Sequence, residues 1–133
     1  MPEAPHHSLR VLVVDDDADT LDSLSRLLSR CGHETRTARD GPEALAVAAG
    51  FRPDVAVLDL GLPGMDGYEV ARRLRQDAEL KRVPLIAMTG YSREEDRSRS
   101  REVGIDQHLV KPVEPEKLHQ LLTVIDLQRG RLR

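Results

Sequence analysis

Two rhythms alternate along the chain. RVLVV at 10–14, DVAVL at 54–58, PLIAM at 84–88 and the shorter QHLV at 107–110 are near-continuous apolar runs rich in β-branched residues. Runs of that length, apolar on both faces, suit strands covered on both sides, as in a parallel sheet. ETRTA at 34–38 is a weaker strand, polar enough to lie at an edge. Between the runs the apolar positions take helical spacing. Leu21, Leu24, Leu27 and Leu28 define a helix over 18–31, with Gly32 where a C′ glycine sits. Gly41-Pro42 opens a second helix through EALAVAA, with Gly50 as its expected stop. Val70, Ala71 and Leu74 mark a third from about 68 to 76. Residues 93–103 form a fourth so polar that little of it can be buried, ended by Gly104. Leu118, Leu121, Leu122 and Ile125 give the last its i, i+3, i+4, i+7 stripe.

Five strands alternating with five helices through short connections imply right-handed crossovers. The expected architecture is a flavodoxin-like, doubly wound α/β fold, with a five-stranded parallel sheet of order 2-1-3-4-5. Residues 1–8, with two Pro and two His and no period, read as a flexible arm, 9–125 as one domain, and 126–133 as a basic tail expected to fray.

Composition narrows the function. The 133 residues carry 20 Lys+Arg against 23 Asp+Glu, a formal net charge of −3. That balance gives nucleic acid or an anionic membrane no basic face to hold, and three aromatics leave little for base stacking. No apolar run is long enough to span a membrane. The start MPEAPHHSLR lacks a signal-peptide core, and a single cysteine, Cys31, cannot pair internally. The expected compartment is the cytoplasm.

In sheets of this kind ligands gather beyond the carboxyl ends of the strands. Strand 1 ends in Asp15 and Asp16, strand 3 in Asp59, strand 4 in Thr89 and strand 5 in Lys111. Three carboxylates brought that close repel one another unless a cation or a proton relieves them. An oxygen-only set without His or Cys selects a hard divalent ion, Mg²⁺ or Mn²⁺, over zinc. Such an ion leaves positions for phosphate oxygens, and a lysine and a hydroxyl could hold the others. The constellation is a phosphoryl site with a carboxylate nucleophile available.

LVVDD at 12–16, LDLGLPGMDG at 58–67, MTG at 88–90 and LVKP at 109–112 together resemble the receiver domain of bacterial two-component response regulators, in order and spacing, over roughly residues 9–125. Each motif alone is weak; the four together are specific. The resemblance implies that Asp59 accepts a phosphoryl group from the phosphohistidine of a histidine kinase or histidine phosphotransfer protein. It implies Asp16, Asp59 and the Gly61 carbonyl as direct Mg²⁺ ligands, and Asp15 as a partner of a water on the ion. Thr89 and Lys111 would contact phosphoryl oxygens, and the Lys111–Pro112 peptide would be cis. No residue looks like a dedicated base for activating water, so the aspartyl phosphate should persist.

Two positions depart from the family. An aromatic residue commonly stands three before the lysine, where this chain has His108; the residue reads either as an ordinary edge histidine or as a pH-sensitive substitute for the aromatic switch. Gly61 offers no side chain to orient water, and Tyr91, two after Thr89, could shield the phosphoryl group, so self-dephosphorylation should be slow.

Rival readings fit less well. An EF-hand loop from Asp15 needs Gly at its sixth position and Glu at its twelfth, which hold Thr20 and Arg26. A haloacid-dehalogenase-type phosphatase would use Asp15 and Asp17, but Asp19 stands where Thr or Val is expected and no late acidic pair follows. A receiver fold that no longer takes phosphate, acting as a protein-binding module, is the remaining alternative. Asp17 and Asp19 read as first-turn helix acids, Asp66 as a turn residue and Cys31 as a small apolar residue. His6 and His7 lack companion ligands, and the Arg-rich run 93–101 reads as a solvated face. Ending soon after the fifth helix, the chain is expected to carry no output domain, so its output is a protein contact to an unknown partner. The run TGYSREEDRSRSREVGIDQHLVKPV is similar to receivers of hybrid sensor kinases; a stand-alone regulator and a hybrid-kinase fragment both stay open.

Overall fold

The computed structural model describes residues 8–90 and 94–131, with side chains described for all of these except 94–96 and 129–131. Strands β1 (Arg10–Val14), β2 (Glu34–Ala38), β3 (Val55–Asp59), β4 (Leu85–Thr89) and β5 (Gln107–Val110) alternate with helices α1 (Ala18–Arg30), α2 (Gly41–Phe51), α3 (Gly67–Gln76), α4 (Glu94–Val103) and α5 (Pro115–Arg131). All four pairings are parallel, in the order β2-β1-β3-β4-β5. This is the expected fold, with the polar β2 at an edge.

Alternation along the buried strands divides the core in two. Leu12, Val14, Ala56, Leu58, Leu85 and Ala87 face α2 and α3, meeting Ala44, Ala48, Val70, Ala71 and Leu74. Val11, Val13, Val55, Val57, Ile86 and Met88 face α1 and α5, meeting Leu21, Leu24, Leu28, Leu118, Leu122 and Ile125. Every one of these strand residues is fully buried. At about 1.5–3 kcal/mol for each large apolar side chain taken out of water, this three-layer packing holds the strand ends level.

Helix ends follow their residues, with two corrections. Asp17, Asp40 and Asp66 cap α1, α2 and α3 through side-chain oxygens that accept backbone N–H groups. Gly32 (φ +87) follows the Cys31 cap, as expected. Gly50 does not close α2. The helix runs through Phe51, and Arg52 takes the left-handed turn (φ +52), its N–H donating to Ala48 O. Pro53 explains the shift, because the α conformation is disfavoured for a residue before proline. The last helix also runs past the expected boundary at 125: α5 continues to Arg131, since residues 126–129 (DLQR) contain no breaker. His6 and His7 lie outside the described residues.

Candidate functional site

Parallel pairing brings the predicted residues to one edge. Val14 is level with Leu58, Asp59 with Met88, and Thr89 with Val110, so Asp15, Asp16, Asp59, Thr89 and Lys111 all emerge at the carboxyl ends of their strands.

The two inner carboxylates are held alike. Asp15 is fully buried; its Oδ1 accepts the Asp17 N–H at 2.9 Å, and its Oδ2 lies 2.9 Å from Lys111 Nζ. Asp59 is 6% exposed; its Oδ1 accepts the Gly61 N–H at 2.9 Å, and its Oδ2 lies 3.1 Å from the same ammonium. In each case a backbone N–H two residues on fixes one oxygen, and a shared cation faces the other. Charge-assisted contacts of this kind are among the stronger polar interactions. Burial works against the Lys111 ammonium, but hydrogen bonds and charge from Asp15 and Asp59 outweigh it and hold its pKa above the ordinary lysine value.

Asp16 is exposed and brings the third carboxylate. One oxygen from each of Asp15, Asp16 and Asp59 lies within 4.8 Å of the others. Three negative charges facing one ammonium leave a formal excess of negative charge, and all three donors are hard oxygens. The residues therefore fit a hard divalent ion and not a soft one. Thr89 ends β4 half-buried, and its carbonyl accepts the Lys111 N–H at 2.7 Å. Gly61 lies exposed in the turn after Asp59. The Lys111–Pro112 peptide is cis. Tyr91, the expected shield, lies outside the described residues.

Gly67, Asp66 and Glu69 complete the site's frame. Gly67 donates to Leu60 O at 3.3 Å, and a Cβ there would lie 2.5 Å from Asp59 O and 2.8 Å from Leu60 Cα. In the sequence Gly67 closes the LDLGLPGMDG motif and directly precedes a helical stripe. Asp66 is more than a turn residue: its Oδ1 accepts the Glu69 N–H at 2.9 Å, capping α3. Glu69 in turn pairs with Arg72 and Arg73, which hold its carboxyl down at about 2. Cys31 is half-buried at the cap of α1, away from this edge.

His108 sits on edge strand β5, half-buried, with Nε2 2.8 Å from the Oγ of the fully buried Ser100. Burial, and then the charge of Arg97, lowers its pKa below the ordinary imidazole value.

The chain is similar to known proteins in both sequence and fold. Residues 11–123 match the family model described as the response regulator receiver domain. Protein PilH of Pseudomonas aeruginosa is 32% identical over 116 residues, 87% of this chain and 96% of PilH. The transcriptional regulatory protein PrrA of Mycobacterium tuberculosis is 48% identical over 105 residues, 79% of this chain and 44% of PrrA, so the chain spans less than half of that relative. Among solved structures, the chemotaxis protein CheY4 of Vibrio cholerae superposes with a TM-score of 0.86 at 34% identity, over 90% of this chain and 99% of that one. The receiver domain of the sensor histidine kinase PA1611 of Pseudomonas aeruginosa, described with a magnesium ion coordinated in its active-site cleft, gives 0.79 at 28% identity, over 87% and 95%.

Proposed function

The chain belongs to the response regulator receiver domain family, and from that premise we propose that it is a phosphoacceptor whose nucleophile is Asp59. Receiver domains are signalling domains, so the chemistry proposed is confined to the chain's own phosphorylation and its slow reversal. The carrying observation is the pairing of Asp59 Oδ2 with Lys111 Nζ at 3.1 Å at the head of β3. It supports a carboxylate aimed at the sheet edge and flanked by a cation that can follow charge onto a phosphoryl group.

In the proposed step an Asp59 oxygen attacks phosphorus of a partner's phosphohistidine in line. The new O–P bond forms as the N–P bond breaks, and the imidazole leaves with the electron pair and takes up a proton. Lys111 stabilises charge on the transferred oxygens, and the Thr89 hydroxyl takes another. The Asp17 and Gly61 N–H groups hold Asp15 and Asp59 in place throughout. Asp16, Asp59 and the Gly61 carbonyl would hold Mg²⁺ or Mn²⁺, with Asp15 holding a water of its shell; when bound, the ion neutralises charge on the phosphoryl group. No general base for water is among the residues assigned to the site, which supports a long-lived acyl phosphate.

The proposed receiver unit is 9–125, acting in the cytoplasm, where the lone Cys31 stays reduced. The proposed partners are a histidine kinase or histidine phosphotransfer protein upstream and a protein of unknown identity downstream, reached by a shift between two conformers. Borohydride reduction of the phosphorylated chain, followed by peptide mapping, tests the assignment. Reduction at Asp59 supports it; reduction at Asp15 would favour the phosphatase-like alternative.

A further inference from the structure

Three aspartates follow β1 in a row, and they do not serve alike. Asp15 and Asp16 join Asp59 at the carboxylate cluster. Asp17 is turned onto α1 instead. Its Oδ1 accepts the Asp19 N–H at 3.2 Å, its Oδ2 accepts the Thr20 hydroxyl at 2.7 Å, and its carbonyl accepts the Leu21 N–H at 3.1 Å. All three oxygens of one residue are thereby tied to the first turn of the helix. Satisfying N–H groups that have no partner inside the helix is the ordinary work of a cap. The Thr20 hydroxyl is an addition to it, holding the second carboxylate oxygen that a cap leaves free.

The backbone of the same residue faces the site. The Asp17 N–H donates to Asp15 Oδ1 at 2.9 Å. Asp15 is fully buried, its own N–H donates to Ala38 O at 3.1 Å, and its Oδ2 lies 2.9 Å from Lys111 Nζ. With the main chain held by β2, the Asp17 N–H fixes which way the carboxylate faces. The peptide carrying that N–H turns about φ of Asp17, and the cap keeps this residue extended, at φ −89 and ψ 113. Asp59 has a matching N–H from Gly61, but glycine has no side chain with which to hold it. Only at Asp15 does a side chain stand behind the donor.

We infer that Asp17 is a positioning residue for Asp15, pinned by Thr20: the hydroxyl holds the capping carboxylate on α1, the cap sets the Asp17 N–H, and the N–H aims the Asp15 carboxylate. The consequence for a divalent ion rests on the ion reading above; the aim of Asp15 does not. With the cap removed, Asp15 loses the bond that orients it, and an ion whose water it holds is bound more weakly. Groups that orient metal ligands commonly set affinity in this way.

Two readings by NMR test this in the unphosphorylated chain: hydrogen exchange of the residue-17 amide, corrected for its intrinsic rate, and Mg²⁺ affinity from amide shifts. Asp17→Ala should raise the exchange about tenfold and weaken Mg²⁺ about tenfold. Asp17→Asn, which keeps a capping oxygen, should stay within about threefold of the wild type in both, and Thr20→Val should fall between Asn and Ala. Asp40 caps α2 through the Glu43 N–H at 2.8 Å, so Asp40→Ala removes a cap of the same kind and should move both readings less than about twofold. Exchange unchanged in Asp17→Ala overturns the inference, as does an unchanged Mg²⁺ affinity where the wild type binds the ion. Asp17→Asn as weak as Asp17→Ala would assign the effect to charge, and Asp40→Ala as weak would assign it to general loosening; either overturns it too. If even the wild type takes up no Mg²⁺ while residue-17 exchange still follows the cap and Thr20, the positioning of Asp15 stands and the ion reading falls.

Discussion

Gly67 is packed onto Asp59 so closely that a Cβ at position 67 would sit 2.5 Å from the Asp59 carbonyl oxygen. The neighbouring atoms are backbone and cannot swing aside. Gly67→Ala should therefore destabilise the fold by about 1–3 kcal/mol, the usual range for forcing atoms into a packed site, despite alanine's better helix propensity. Urea denaturation would measure it. A variant as stable as the wild type would show that the α3 entry adjusts freely.

Lys111 is, among the described residues, the cation that faces both inner carboxylates, at 2.9 and 3.1 Å. Lys111→Met should slow phosphoryl uptake from acetyl phosphate about a hundredfold, the scale for removing one preorganised stabiliser of developing charge. Uptake within about threefold of the wild type would mean that the lysine is only a structural counter-ion.

Asp66 caps α3 and faces Arg99. Asp66→Ala should cost about 1 kcal/mol, and Asp66→Asn, which keeps the capping oxygen, should recover most of it. Paired denaturation curves check this; equal losses would show that charge, not capping, dominates.

His108 gives stability a pH dependence of known sign. Its pKa is lowered in the folded chain, so the unfolded chain binds the proton first. Stability is untouched well above the ordinary value of 6.5 and falls as pH drops through it. The difference in stability between wild type and His108→Gln should shift against the wild type from pH 8 to pH 5. A constant difference would contradict the burial of this imidazole beside Ser100 and Arg97.

The strands and the site were legible for the same reason. β1, β3 and β4 are buried on both faces, so their apolar runs stand out, and the residues closing them (Asp15, Asp16, Asp59, Thr89) fall on one edge by topology alone. What escaped depends on distances between elements. Arg75 meets Gly104 29 residues on, and no local pattern marks such a pair. Arg99 looked like one of several solvated arginines until α3 placed Tyr68 beneath it. At the end of α2 the visible glycine misled, because Pro53, not Gly50, sets the stop.

In the proposed chemistry Asp59 accepts phosphoryl groups with the help of a divalent ion. Intact-protein mass after incubation with acetyl phosphate, with and without Mg²⁺, beside Asp59→Asn, tests it most directly. One added phosphoryl group that requires both Mg²⁺ and Asp59 is the expected result. An adduct that survives in Asp59→Asn, or none where another receiver domain labels under the same conditions, would contradict it.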